Sequence, residues 1–452
     1  MTFAVAVAAT SVTARLYEPA DFGTLASFLA WVAVPAAVAN FRLSDAIPLS
    51  KTPALEACLI QASLEATMIV CVLLSGLLAG LAVLDVLPLP LNLFLPLAIA
   101  VVVASSVHRV ACMVATKDGK FGWLMALTVA LPLTTGLGQV LGWYLGWSLT
   151  TGTAIGTTLC AAAAALSLLP RVAGLTLQRP MLPIALREFP EFAKYAAPFA
   201  AVVAIRTRGL YFIIGLPDSR ISPTEVGTLQ QAERVSSWGN SGLTSVLRPA
   251  FHHSATVDVR QASIHSIKTS GLLLQLIAGP ATLLAIHSDS IISLTLGVAW
   301  GPAAGAFQWL VIPTCIFAAT GFSDRLFDML RRQGALLTLE SAAAIATIAA
   351  GVVCSIAGGS LQSLAIALAA ITTIYGIGQF VLLGVLCRSH WTLLVKPILA
   401  AALLCGLVAF VGHAGQNLLK SSLPAALSAF VYPTLVLARR TQMARDSSSR
   451  PR

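Results

Sequence analysis

The sequence predicts an all-α polytopic membrane protein of about 14 (12–14) transmembrane helices, in two parallel six-helix lobes plus a C-terminal pair. Three observations lead there. Of 452 residues, 57% are hydrophobic and only 10% charged, with a mean hydropathy of +0.85, whereas a soluble chain carries about 25% charged residues. Charge-free runs of spanning length recur from end to end. A seven-residue pattern beginning at Pro19 returns at Pro223, 204 positions later. A water-soluble fold is excluded by the first observation alone.

The elements follow in order. Residues 1–14 are apolar but reach Arg15 before the ~20 residues a spanning helix needs, and no basic segment of a signal peptide precedes them. The first span is therefore short, ending near Tyr17, or its start lies upstream. Uncharged runs at 22–41, 66–84 and 86–108 are the next three spans. The 50 uncharged residues of 121–170 hold two more, broken near 142–147. A polar segment, 171–194, connects to a second half with spans near 195–216, 227–247, 269–287 and 301–323. The 47 uncharged residues of 341–387 divide at Gly358, Gly359 and Ser360. Runs at 397–419 and 421–437 complete the set. The organisation is an N-terminal six-helix lobe (1–170), a cytoplasmic connecting loop (171–194), a C-terminal six-helix lobe (195–387), a terminal helix pair (388–438) and a basic cytoplasmic tail (439–452).

Charge sets the orientation. With a cytoplasmic N-terminus, 22 of the 28 Lys and Arg fall on cytoplasmic segments. Arg15, Arg220 and Lys420 fall outside, and Arg206, Arg208 and Arg234 lie within spans. The net charge of +10 is thus a topology signal with both termini cytoplasmic, and no nucleic-acid partner is implied. The eight cysteines have no paired spacing and sit almost wholly in apolar runs, so neither disulfide nor metal is assigned to them. His252 and His253 lack further ligands, and no metal, cofactor or phosphate-binding loop is expected.

The repeat reads Pro19-Ala20-Asp21-Phe22-Gly23-Thr24-Leu25 against Pro223-Thr224-Glu225-Val226-Gly227-Thr228-Leu229. In each copy Pro and an acid open a helix on the outer side. Arg42 echoes Arg248, and the inner turn 109–119 echoes 325–334. The offset spans an even number of helices, which makes the two lobes parallel.

These residues, together with Arg15-Leu16-Tyr17, Ala46-Ile47-Pro48-Leu49, Phe192-Ala193-Lys194-Tyr195-Ala196-Ala197-Pro198, Glu233-Arg234-Val235, Gly297-Val298-Ala299-Trp300 and Gly305, resemble those of bacterial polysaccharide-biosynthesis flippases. Those belong to the multidrug, oligosaccharidyl-lipid and polysaccharide exporter superfamily. The resemblance implies transport of an undecaprenyl-diphosphate-linked oligosaccharide from the inner to the outer leaflet of the bacterial inner membrane. Alternating access between the lobes would drive it, in the making of O-antigen, capsule or exopolysaccharide. It implies a lipid-linked oligosaccharide and membrane lipids as partners, with a polysaccharide polymerase and glycosyltransferases in the same pathway, and no enzymatic activity.

Charge inside a span costs about 2.5–3.5 kcal/mol on insertion scales and generally faces a cavity or a partner. Arg206 lies eleven residues beyond Tyr195, roughly 16 Å into its span, and Arg208 and Arg234 lie roughly 11–12 Å below the outer face. A diphosphate needs such cations, and arginine binds its oxygens as a fork. Arg206 and Arg208 are about 200° apart around a helix, so both cannot point squarely into one cavity. Arg15 and Arg42 are weaker candidates, readable also as loop arginines at lipid headgroups. The structural alternative is that Glu233 or another carboxylate pairs with one of the arginines and simply holds helices together. Glu65 and Glu340, near inner helix ends, read as snorkelling or capping groups. Pro132 and Pro198 would kink their helices. An ion-coupled multidrug or cation exporter of the same superfamily is the alternative function; it would favour an acidic cavity. A membrane polymerase or ligase would require a large outer loop, whereas no outer connection here exceeds about 15 residues.

Overall fold

The computed structural model describes residues 2–83, 90–172, 180–216, 219–238, 240, 243, 247, 259–330, 332–389 and 391–419. Among the described residues the regular structure is helical, and ten helices are long and apolar enough to cross a membrane. Two shorter apolar helices, Ala4–Leu16 and Thr392–Val408, accompany them. The chain is a multi-pass membrane protein. The expected span at 421–437, the basic tail and most of the inner end of the expected span at 227–247 lie outside the described residues.

The chain divides into two compact units. The first comprises Met1–Gln231, Thr295–Trp300 and Glu340–Leu364. It begins with α1 (Thr2–Leu16) and α2 (Pro19–Val38). Helix α2 is opened by Pro19 and by a capping box in which the Glu18 N–H donates to Asp21 Oδ2 at 3.1 Å. A 3₁₀ segment, Leu43–Leu49, follows. Phe41 and Arg42 enter it in left-handed geometry, with φ of 47° and 60°. The turn tolerates this because Asn40 accepts the Arg42 N–H at 3.0 Å and donates to Ser44, while Leu43, Ala46 and Ile47 are fully buried.

Helices α3 (Pro53–Ala82) and α4 (Leu91–Lys117) are longer than the uncharged runs that announced them. The reason is that their charges are satisfied inside the protein. Glu56, near the start of α3, takes Lys117 at 2.6 Å and also Arg171, which reaches on to Asp118 at 2.5 Å. The cluster ties together the ends of α3, α4 and α6 (Leu149–Val172). Glu65 accepts the backbone N–H groups of Met181 and Leu182 at 2.9–3.1 Å, where the positive end of α7 (Leu182–Glu188) favours a carboxylate. The connecting segment 171–194 therefore contains a helix, seated on α3 through Leu182 and Ala185. Helix α5 (Phe121–Tyr144) packs on α6, and a π-turn, Phe192–Ala196, leads into α8 (Ala197–Ile214) and then α9 (Pro223–Ser236). Phe22, Phe28, Phe94, Tyr211 and Trp300 are the largest buried side chains of this unit, with Phe28 and Phe94 edge to face at 5.2 Å.

The second unit comprises Ala232–Leu294, Gly301–Leu339 and Ala365–Arg452. It is built from α10 (Val259–Ile286), α11 (Ser288–Thr295), α12 (Ala303–Thr320), α13 (Asp324–Met329), part of α14 (Gln333–Ala357), most of α15 (Leu361–Leu386) and α16 (Trp391–Leu419). Gly271 lets α10 approach Pro397 of α16, and Gly376 lets α15 approach Ile316 of α12. An apolar cavity of about 380 Å³ lies between these helices, lined by Leu274, Ile277, Ile312, Ile377 and Ile398 among others. In both units large apolar side chains such as Val72, Leu73, Ile356 and Leu403 remain exposed, as a bilayer solvent requires.

Candidate functional site

Helix α8 carries two charged residues, Arg206 and Arg208, and the structure separates their roles. Arg206 Nε donates to Glu340 Oε1 at 2.5 Å. The Glu340 side chain is fully buried and that of Arg206 is 13% exposed. Removing Arg206 would strand the Glu340 carboxylate in a medium that cannot solvate it, so the pair locks α8 to α14. Glu340 Oε2 is buried and has no hydrogen-bond partner among the described residues. An apolar cleft of about 640 Å³ runs beside the pair, between Val202 and Ile205 of α8 and Ser341, Ala344, Ile348 and Val352 of α14.

Arg208 is half-buried on the same helix and has no ion-pair partner among the described residues. Next to it, Gly209 brings α8 against Ile348. Arg234 lies on α9 and belongs to the second unit, so the first unit holds Arg206 and Arg208 of the expected trio. Arg15 is exposed at the end of α1 beside Gly297, a turn glycine with φ of +105°. Arg42 is paired with Asp45 at 2.8 Å at the start of the 3₁₀ segment Leu43–Leu49.

Glu340 is a correction to the sequence reading, which placed it among snorkelling or capping groups. It is sealed from solvent and neutralises Arg206. Its signal was its place immediately before the long uncharged run that begins at Ser341: a buried arginine requires a counter-ion, and few carboxylates lie that deep.

The repeated segments form a second assembly. Trp300 is buried, donates its indole N–H to Ala14 O at 2.8 Å and meets the edge of Phe22 at 5.2 Å. Immediately after Phe22, Gly23 presents bare backbone to Pro223; a Cβ there would land on the Pro223 carbonyl oxygen and lie 2.7 Å from its carbon. Reciprocally, a Cβ on Gly227 would land on the Pro19 carbonyl oxygen and lie 2.7 Å from the Gly23 nitrogen. The two copies of the sequence repeat thus pack on each other, fifth residue of one against first residue of the other.

No family model matches the chain, and no curated protein matches it. Solved structures do. The chain is similar to the lipid II flippase MurJ in an inward closed conformation, at 13% identity with a TM-score of 0.66, over 98% of this chain and 99% of that one. The P26A mutant of a MATE protein also matches, at 14% identity with a TM-score of 0.48, over 86% of this chain and 97% of that one. At this identity the likeness is one of architecture: the chain has the fold of MurJ.

Proposed function

We propose that the protein is a flippase carrying an undecaprenyl-diphosphate-linked oligosaccharide from the inner to the outer leaflet of the bacterial inner membrane. The observation that carries the reading is Arg208, a half-buried arginine within a spanning helix that has no ion-pair partner among the described residues. A cation so placed is costly unless it meets an anion during the working cycle, and a diphosphate offers oxygens in fork geometry. Arg206, held by Glu340, positions the helix and supplies a second guanidinium; Arg234, and more weakly Arg15 and Arg42, are further contacts. The fold shared with a protein named a lipid II flippase supports a lipid-linked cargo. About fourteen spans in two parallel lobes, with cytoplasmic termini, would alternate access. Glycosyltransferases would supply the cargo and a polymerase consume it.

One observation favours a second reading, an ion-coupled multidrug or cation exporter: the orphaned Oε2 of buried Glu340 is the kind of carboxylate such a carrier uses. The two readings part in proteoliposomes loaded with a fluorescent undecaprenyl-diphosphate oligosaccharide. The flippase reading expects leaflet transfer by the intact chain and its loss in well-folded Arg208→Ala, since that substitution strands no partner. Absence of transfer by the intact chain with several sugar lipids, together with proton-driven efflux of an organic cation, would hand the assignment to the exporter.

A further inference from the structure

The repeated segment does more than open two helices. Its copies, 19–25 and 223–229, lie 204 residues apart in the chain and meet backbone to backbone. The contact is reciprocal, with Gly23 under the first turn of α9 and Gly227 under the first turn of α2, as two copies related by a local two-fold axis would be. Either glycine, if given a side chain, would drive it into a carbonyl of the first turn, which cannot yield as a flexible side chain could. Around the glycines Phe22, Leu25, Val226, Thr228 and Leu229 are almost wholly buried. No hydrogen bond or ion pair joins the two copies among the described residues: Asp21 caps its own helix through the Glu18 N–H, and Glu225 caps its own through Ser222. Trp300 lies across the same end, on Ala14 and Phe22.

We propose that Gly23 and Gly227 form a latch that closes the outer face of the protein, and that the protein opens outward by parting the two repeat copies at this point. The inference rests on the transport reading above for its cycle and on the charge-derived orientation for the word outer. The physical case is that this joint combines the tightest approach two helices can make with no polar bond across it. Complementary backbone surfaces favour the closed state through dispersion and Cα–H···O contacts. Separating the two copies breaks no ion pair or hydrogen bond among their described residues, and each helix start stays capped by its own residues. Such a contact is bistable: it is fully made or fully lost, since a backbone that fits only glycine has no intermediate packing.

The test uses a chain whose eight cysteines are replaced by Ala or Ser, carrying Thr228→Cys as a reporter just below the crossing, where Thr228 is 3% exposed. A membrane-impermeant maleimide is added from the outer side. Gly227→Ala, and separately Gly23→Ala, should raise the labelling rate by about tenfold or more as the open population grows. A second arm keeps both glycines and so does not depend on the folding of an alanine variant. Ala20→Cys and Thr224→Cys are joined by a short reducible bis-thiosulfonate linker, and leaflet transfer should stop on bridging and return on reduction. Unchanged labelling in a folded Gly227→Ala protein, or transfer at the parental rate with both cysteines bridged, would overturn the latch. Labelling needs no cargo: latch-dependent labelling in a chain that moves no sugar lipid would uphold the latch while removing the flippase reading.

Discussion

Helices α5 and α6 cross through glycine just as α2 and α9 do, yet the two crossings are held in different ways. In the first, a Cβ on Gly138 would lie 2.8 Å from Gly156 N, one on Gly152 2.9 Å from Gln139 Cα, and one on Gly156 2.6 Å from Thr135 Cα. That interface also carries a polar bond: Gln139 Nε2 donates to Thr153 Oγ1 at 2.9 Å in a buried setting, while the Tyr17 hydroxyl, from the α1–α2 junction, donates to Gln139 O at 2.9 Å and holds α5 from the other side. The chain between α5 and α6 is the short turn 145–148, so even a parted pair would be held close. At the start of α2 and α9 the partners come from opposite halves of the sequence, and among the described residues no hydrogen bond or ion pair joins segments 19–25 and 223–229. The same small-residue packing serves as a permanent weld in one place and as a separable joint in the other. Hydrogen bonding and connection length, not the glycines, set which it is.

The comparison breaks most severely where polar sewing is removed from a joint that depends on it. The α8–α14 contact is the extreme case, since a buried ion pair joins the helices. Arg206→Ala should cost about 3–5 kcal/mol by stranding Glu340, seen as a large fall in thermal midpoint in detergent. Arg206→Gln with Glu340→Gln should recover most of it, because no charge is then left unpaired. Next comes Gly156→Ala at the weld. Its Cβ meets Thr134 and Thr135 backbone, and the overpacking should lower stability by about 1–3 kcal/mol. Outer-side labelling of Thr228→Cys should stay at the parental rate in this variant. An increase in labelling comparable to that of Gly227→Ala would erase the distinction between weld and joint.

How much of this was legible beforehand follows from the same contrast. The repeat could be read from residue types, and with it the capped helix starts at Pro19 and Pro223, because turn chemistry and capping are local. That the two copies touch could not, since a glycine in a pattern looks the same whether it has open space beside it, like Gly76, or another backbone, like Gly23. Charge-free runs located α2, α5 and α6 well and cut α3 short, because a run ends at Glu56 or Glu65 while the helix continues wherever the fold supplies Lys117, Arg171 or the N-terminus of α7. Arg206 and Arg208 stood out as costly residues, and the rule that a buried charge needs a partner foretold that one exists. It could not choose Glu340 from 134 positions away. Long-range pairing is set by the three-dimensional path of the chain, which residue spacing does not carry.

The smallest expected effects test whether polar sewing counts by burial and not by number of bonds. Gln139→Leu removes a buried donor and leaves the Thr153 hydroxyl still bonded to Leu149 O at 2.8 Å, so the loss should be about 0.5–1.5 kcal/mol, the net worth of one hydrogen bond. Lys120→Ala deletes an ion pair to Asp118 at 3.1 Å on a side chain that is 65% exposed, and screened surface pairs contribute at most about 1 kcal/mol. Thermal midpoints measured at low and high salt separate the two. The Gln139 variant should show the same deficit at both, whereas any deficit from Lys120→Ala should vanish as salt screens the pair. Equal, salt-sensitive losses at both sites would mean that the α5–α6 weld rests on surface electrostatics, and the reason given for its permanence would then fail.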